Sequence, residues 1–375
     1  MSQRILSRRT FLAATGAAAT VSLIRQPMLA KEAADQGVVV WHDVSEWGVE
    51  GRGWQETARY FDRLPAKAEQ LVRAAVWNLS RHSAGMACRF ETDATAIDAR
   101  YTLLSESLSM SHMPATGVSG LDLYVRDPQG HQRWVGVTRP TAKQVEASLA
   151  KNLDPADEGP REFTVYLPLY NGVETLEIGV PKGATFTRLA PRQEKPLVFY
   201  GTSIMHGACA SRPGMAIPSI VGRRLNRPTI NLGFSGNGRM EAEVAKLLAE
   251  LDAEMYLIDC LPNINGTQVA ERTEPLVHIL RDAHPETPIV LVEDRTYGNA
   301  HIYKSSRERH AGSRAALKQA FENLQRDGVQ HLHYLAGDKL LSDDSEATTD
   351  GSHPNDLGMM QYADAYETVI QGILS

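Results

Sequence analysis

Val198-Phe199-Tyr200-Gly201-Thr202-Ser203-Ile204 reads as an apolar strand that ends in a sharp Gly-Thr-Ser turn. A serine there stands at the carboxyl end of a strand, where open α/β sheets place their ligands. Three later stretches are Asn231-Leu232-Gly233-Phe234-Ser235-Gly236-Asn237-Gly238, Asp259-Cys260-Leu261-Pro262-Asn263 and Asp350-Gly351-Ser352-His353. Each falls just after an expected strand or just before an expected helix. Any one of them alone reads as a helix cap, a turn, a phosphate loop or a metal pair. The four in order carry the reading.

Outward from this stretch, strands expected over residues 197–202, 229–232, 255–260, 289–293 and 330–334 alternate with helices expected over 216–225, 241–251, 269–283, 307–327 and 356–373. That rhythm predicts a parallel sheet covered on both faces, and five strands suit a flavodoxin-like doubly wound α/β domain over 196–375. Residues 36–190 read differently. Ala99, Tyr101 and Leu103 alternate with polar neighbours, and runs at 121–125 and 134–137 flank the turn Asp127-Pro128-Gln129-Gly130. Further alternating runs at 163–167 and 176–180 stand either side of Asn171-Gly172. Short alternating strands with turn signals predict a β-sandwich, jelly-roll-like, ahead of the α/β domain. Residues 140–160 are polar and read as a loop or short helix. Residues 182–195 read as the linker.

The first thirty residues read as an address. Arg8-Arg9 precedes an apolar run from Ala13 to Ile24 that is too short to span a bilayer, and Met28-Leu29-Ala30 suits a cleavage site. This resembles a twin-arginine (Tat-type) signal peptide over 1–30, which implies a periplasmic or secreted protein. No later run is long enough for an integral membrane segment. Removing 1–30 takes four arginines and no acid from a chain of net charge −6, leaving −10. An acidic mature chain argues against nucleic acid as a partner. The three cysteines, Cys88, Cys209 and Cys260, make no disulfide framework and lack metal-ligand spacing. Two of them, Cys209 and Cys260, follow strands of the same sheet, so a pair is open beside the reading as buried thiols.

A serine hydroxyl attacks an acyl carbonyl only if a base takes its proton, and the usual base is a histidine held by a carboxylate. Asp350 and His353 stand three apart, and Pro354 would open the last helix with His353 as its cap. The expected roles are Ser203 as nucleophile, His353 as general base and then acid, and Asp350 as its orienting carboxylate. Negative charge on the carbonyl oxygen needs fixed donors. Ser203 and Gly236 can offer backbone N–H groups and Asn263 a side-chain amide. Gly233 and Gly238 are further backbone candidates. The Asp and His lie nearly adjacent and no G-x-S-x-G elbow is present, which sets the chain apart from the α/β-hydrolases.

The four segments resemble the four blocks of the SGNH, or GDSL-type, hydrolases. Carried onto this sequence, the family's nucleophile, two oxyanion donors and acid–base pair fall on Ser203, Gly236, Asn263, Asp350 and His353. The match covers most of residues 196–375. Gly120-Leu121-Asp122-Leu123-Tyr124 resembles the G-x-D-L-Y signature of a β-rich domain that precedes one esterase branch of the superfamily. Two blocks depart from the pattern: Gly-Thr-Ser stands where Gly-Asp-Ser is usual, and Leu-Pro-Asn where Gly-x-Asn-Asp is usual. Thr202 removes no triad member; the second change bears on Asn263.

Other clusters have blander readings. His331 and His333 share a strand face without a third metal ligand. His42, near Trp41, Trp47 and Trp54, serves a sugar-stacking platform or an aromatic core equally. Arg212 and His206 follow Ser203 closely and could line the pocket or a helix surface. Glu293-Asp294-Arg295 ends the fourth strand, with local ion pairing as its default. The resemblance implies a serine esterase that needs no organic cofactor or metal and acts on a small acyl ester, with an acetylated glycan foremost. A lipase or lysophospholipase, and a non-catalytic carbohydrate-binding protein, are the alternatives. Oligomeric state is not legible.

Overall fold

The computed structural model describes residues 37–155 and 159–375. The signal expected over 1–30 lies outside the described residues.

The first part of the chain forms two antiparallel sheets. Strands β1 (Val39–Asp43), β2 (Ala87–Thr92), β3 (Ile97–Leu103), β4 (Asp122–Arg126), β5 (Gln132–Val137), β6 (Gln144–Ala150), β7 (Arg161–Tyr166), β8 (Val173–Pro181) and β9 (Phe186–Leu189) divide into the orders β1-β8-β3-β6 and β5-β4-β7-β2-β9. Alternate side chains of both sheets meet in one core, with Ala99, Tyr101 and Ile178 from one and Phe90, Leu123 and Phe163 from the other. Period-two alternation dictates this, since every second side chain of a strand points to the same face. The turn at 127–130 joins β4 to β5 as expected, with Gly130 N–H on Asp127 C=O at 2.9 Å.

Two expectations fail here. β6 occupies part of the expected loop, and β9 part of the expected linker. Both are edge strands, paired on one side only. Edge strands are short or polar and so carry little of the apolar alternation that reveals a central strand. In β6 the outward Gln144 and Glu146 are exposed while Leu149 is buried.

The α/β part follows the expected rhythm. Strands β10 (Leu197–Gly201), β11 (Thr229–Gly233), β12 (Met255–Asp259), β13 (Ile289–Val292) and β14 (Leu332–Leu335) form one parallel sheet in the order β11-β10-β12-β13-β14. Numbered from β10, that is the flavodoxin-like order 2-1-3-4-5. The helices are α1 (Ala74–Ser80) and α2 (Ala115–Val118) in the first part, then α3 (Ser203–His206), α4 (Ile217–Leu225), α5 (Ala242–Leu248), α6 (Gly266–Ala283), α7 (Lys304–Arg326) and α8 (Asp356–Leu374). Helix α6 starts before residue 269 because Asn265 and Gln268 form a capping box, with Gln268 N–H on Asn265 Oδ1 at 3.0 Å and Asn265 N–H on Gln268 Oε1 at 3.2 Å. Helix α8 starts at Asp356, capped by Asn355, whose side chain accepts the Gly358 N–H at 3.1 Å. His353 is therefore not the cap, as the sequence had suggested. Pro354 instead bridges back to Thr348, so the helix opens two residues later.

Because both faces of a parallel sheet are covered, its strands are apolar throughout. Val198, Tyr200, Tyr256 and Ile258 bury on the face of α5, α6 and α7, while Leu197, Phe199, Met255 and Leu257 bury on the face of α4 and α8. The first part of the chain grips both faces. Trp54, Leu64, Val76 and Trp77 belong to the first cluster, and Met113, Val118, Leu169 and Tyr170 to the second. Arg63 reaches further in. Fully buried, it donates to the carbonyls of Asn231 at 3.1 Å and Gly233 at 2.8 Å, the end of β11. Without a carboxylate on its guanidinium, burial lowers its pKa to about 9. Asp122 of the G-x-D-L-Y stretch is the second tie. Its buried carboxylate accepts Arg212 Nη1 at 2.9 Å, the Gly214 N–H at 2.8 Å and Trp134 Nε1 at 2.9 Å.

Among the described residues no helix is long and apolar enough to cross a membrane. No group of three or more His, Cys, Asp or Glu among them is arranged to hold a metal ion. The three cysteines are buried and free, so Cys209 and Cys260 are not paired.

Candidate active site

Pairing register brings the first three blocks to one edge. Gly201 pairs with Gly233 of β11 on one side and with Asp259 of β12 on the other, so the three following loops leave the sheet side by side. Neighbouring strands lie about 4.8 Å apart. This is also where the strand order reverses, the crevice in which such sheets bind ligands.

Thr202 caps the short helix α3, with its hydroxyl accepting the Ile204 N–H at 3.3 Å. Thr202, not Ser203, therefore does the capping, and threonine fills the block's usual aspartate position by a function both residue types share. Ser203 is 7% exposed, and its Oγ lies 2.8 Å from His353 Nε2. His353 Nδ1 lies 2.8 Å from Asp350 Oδ2, while Asp350 Oδ1 accepts the backbone N–H groups of Ser352 at 2.9 Å and His353 at 2.7 Å. Partial burial pulls the Asp350 carboxyl upward. The hydrogen bonds from the His353 N–H, the His353 ring and the Ser352 N–H outweigh it and hold the pKa at about 2. An ionised Asp350 sets the tautomer: Nδ1 carries the proton, and Nε2 is left to accept from Ser203.

Hydrogen bonding also separates the three backbone candidates. The Gly233 N–H is committed to Asn231 Oδ1 at 2.9 Å and the Gly238 N–H to Phe234 C=O at 2.9 Å. Gly236 and Ser203 have N–H groups with no partner among the described residues. Gly236 is exposed with φ +68°, a left-handed conformation that favours glycine, and a Cβ there would meet nothing. Gly238 is glycine for a different reason: a Cβ would strike the Gly201 carbonyl. Asn263 ends a turn of 3₁₀ helix, Leu261–Asn263, and its side-chain Oδ1 is buried without a partner among the described residues. The unpaired atom is an acceptor, so the part of Asn263 that suits an oxyanion is its Nδ2 donor.

The structure adds a residue that the sequence reading had left to local ion pairing. Arg295, 1% exposed, pairs with buried Asp294 and turns its guanidinium onto the 350–353 loop. Its Nε donates to Ser352 C=O at 3.0 Å and its Nη2 to Ser352 Oγ. Asp294 also accepts Arg309 Nη1 at 3.1 Å, and Arg309 Nη2 donates to Pro262 C=O at 2.7 Å beside Asn263. One buried carboxylate thus links the loop of His353 to the loop of Asn263. The signal available in sequence was an Asp-Arg pair just past the fourth strand, with no indication of what the arginine faces.

The remaining candidates lie elsewhere or serve packing. His206 is fully buried and stacks on Tyr170 at 4.1 Å, so it does not line the pocket; burial and the nearby Arg63 keep it neutral. Arg212 is the tie to Asp122. Trp54 is buried with Nε1 on Glu250 at 2.9 Å, Trp47 donates to Arg89 C=O at 3.0 Å, His42 stacks on Phe186 at 3.8 Å, and Arg100 covers Trp41 at 4.5 Å. Trp54 packs in the core, while Trp41, His42 and Trp47 are half-buried against these neighbours. His331 pairs with Glu286 at 3.0 Å.

Comparison with known proteins bears on the family and the fold. Residues 194–371 match the GDSL-like lipase/acylhydrolase family, and residues 39–186 match the GxDLY family, described as the N-terminus of SGNH-hydrolase-type esterases. No curated protein matches the chain. A structure from Bacteroides ovatus ATCC 8483, described as a GDSL-like lipase, is 33% identical with a TM-score of 0.85, over 90% of this chain and 98% of that one. A salicylyl-acyltransferase from a tetracycline biosynthetic pathway (18% identical, TM-score 0.69, 90% and 98% covered) shares the fold. So does an acetyl xylan esterase from Butyrivibrio proteoclasticus (10% identical, TM-score 0.53, 89% and 99% covered). From its blocks, its sheet order and this likeness, the chain belongs to the GDSL-like lipase/acylhydrolase family and is a carboxylic ester hydrolase of the SGNH type.

Proposed function

We propose that the protein is an exported serine esterase that removes small acyl groups, acetyl foremost, from carbohydrate by way of an acyl-enzyme. The observation that carries the mechanism is the relay Ser203 Oγ–His353 Nε2–Asp350, with both links at 2.8 Å. In this reading Ser203 Oγ attacks the acyl carbon as its proton passes to His353 Nε2. The oxyanion takes the free N–H groups of Ser203 and Gly236 and the amide of Asn263. Collapse breaks the bond to the alcohol oxygen, which leaves with the proton from His353. Water, deprotonated by the same nitrogen, then cleaves the acyl-enzyme. Asp350 stays ionised and holds the imidazole in place.

A small acyl group is favoured because Ser203 is only 7% exposed, whereas a long chain needs an open apolar groove. That an acetyl xylan esterase shares the fold makes sugar acetates the first substrates to try. The test is release of p-nitrophenol from acetyl, butyryl and octanoyl esters by wild type and Ser203→Ala. Turnover should fall with acyl length, and the variant should lose about 10⁴-fold or more in kcat. Octanoate preferred over acetate would favour the lipase reading; Ser203→Ala at wild-type rate would end the mechanism. Export is the other half of the proposal: activity should fractionate with the periplasm or medium and stay in the cytoplasm when Arg8 and Arg9 are both replaced by lysine.

A further inference from the structure

One residue at the mouth of the site has no place in the relay. His112 comes from the first part of the chain, in the segment between β3 and β4. Its ring lies 6.2 Å from that of His353, centroid to centroid, with the planes 29° apart. Both nitrogens of His353 are engaged, Nε2 by Ser203 and Nδ1 by Asp350. His112 is thus not a partner in proton transfer to that ring.

The segment that carries His112 is a built support. Met110 and Met113 exchange both backbone hydrogen bonds, at 2.9 Å and 3.1 Å, so Ser111 and His112 form a two-residue tip. Met113 is 2% exposed and packs in the core cluster that holds Ile204 and Met205, inside the helix that starts at the nucleophile. The segment is pinned at each end. Leu104 N–H donates to Gly172 C=O at 2.7 Å and Ser105 exchanges hydrogen bonds with the Asn171 side chain at 2.9 Å and 3.0 Å; beyond the tip, Thr116 Oγ1 donates to Ser211 C=O at 2.6 Å. The imidazole itself is half-buried. Its Nδ1 lies 3.5 Å from Ser111 Oγ, and its Nε2 has no partner among the described residues.

We propose that His112 is a specificity-determining residue, which hydrogen-bonds a hydroxyl of the alcohol that leaves the ester. This rests on the acyl-transfer reading given above. His353 must return its proton to the departing oxygen, so the alcohol lies on the His353 side of the carbonyl carbon, away from the donors that follow β11 and β12. A group that flanks His353 therefore faces the alcohol moiety. An imidazole on a pinned backbone, with a free ring nitrogen, suits a hydroxylated alcohol, because a hydroxyl both donates and accepts. It gives nothing to an alcohol without one. The substrate class is a polyol or sugar ester with a hydroxyl near the esterified oxygen, read by a side chain from outside the α/β part.

The experiment compares kcat/KM on a monoacetylated methyl xyloside with kcat/KM on the same acetate whose remaining hydroxyls are O-methylated, for wild type, His112→Ala and His112→Gln. The two leaving alcohols need the same proton from His353 and differ in the free hydroxyls. His112→Ala should lower the hydroxyl-to-ether ratio about tenfold, the worth of one hydrogen bond to a neutral partner. His112→Gln, which keeps a donor and an acceptor, should recover most of it. A ratio within about twofold of wild type in His112→Ala overturns the proposal, even if both rates fall, since an equal fall means that His112 only supports the relay. A folded wild-type enzyme that cleaves neither ester would instead end the hydrolase mechanism, and this inference with it.

Discussion

Two carboxyls near the reacting atoms titrate in opposite directions, and their surroundings say why. Asp350 accepts three hydrogen bonds, which hold it at about 2, so it stays ionised wherever the enzyme would work. Asp259, at the end of β12, is fully buried. Burial raises it to about 7, against one hydrogen bond from Tyr366 at 2.9 Å, and its Oδ1 has no partner among the described residues. The sign of its linkage follows. Below about pH 4 the group is neutral folded and unfolded, and the fold keeps its full stability. As pH rises from there toward 7 the unfolded chain ionises and the folded one resists, so stability falls and the loss is complete above about 7. Asp259→Asn removes the charge in both states. The melting temperature of wild type, measured against that variant, should decline from pH 4 to 7.5 and then level off, with a span on the order of a few kcal/mol in stability. A difference that stays flat with pH would show that Asp259 titrates normally.

At the scale of elements, the site depends on what continues past each strand. The turn after β10 delivers Ser203 in a helical start capped by its neighbour Thr202. The loop after β11 turns on Gly236 and packs through Gly238. Past β13, Arg295, paired with Asp294, reaches across to the loop before α8, so the His353 loop is held from the end of another strand. Arg295→Lys keeps the charge against Asp294 but loses the planar fork that grips Ser352 twice. It should lower kcat about 10- to 100-fold with little change in KM, because a base displaced by an ångström loses its alignment. Steady-state kinetics on p-nitrophenyl acetate, with a melting curve to exclude unfolding, checks this. Loss through KM alone would mean that Arg295 serves binding rather than the position of His353.

At the scale of the molecule, the sandwich and the α/β part share cores and so should unfold together. Trp54 to Trp77 pack on one face of the parallel sheet, Met113 to Tyr170 on the other, and Arg63 is sealed between them. Asp122 fastens the same joint from full burial, while its partner Arg212 keeps 20% exposure. Asp122→Ala should cost about 2–3 kcal/mol, below the range for a fully buried ion pair because Arg212 can reach water. Urea denaturation should show that loss in a single transition. Two transitions, with only one displaced, would show that the parts are independent.

Much of this was present in the order of residues. Five apolar runs spaced by amphipathic ones can only bury themselves as a covered parallel sheet, and a reacting serine, a glycine-rich loop, an asparagine and an Asp-x-x-His pair all fell at strand or helix ends. Local chemistry dictates such features, so they survive without coordinates. The edge strands β6 and β9 escaped because a strand with one bare edge needs little apolar patterning. The cap of α8 moved from His353 to Asn355 because Pro354 pairs back to Thr348 and Asn355 supplies the capping side chain. Gly236 was already the sequence's preferred donor; the tertiary structure supplied the physical ground, by committing the Gly233 and Gly238 N–H groups elsewhere. Only the tertiary structure turned Arg295 onto the His353 loop and set His112 beside His353. These last two are contacts between residues tens to hundreds of positions apart, and sequence spacing carries no information about which distant groups a fold will bring face to face.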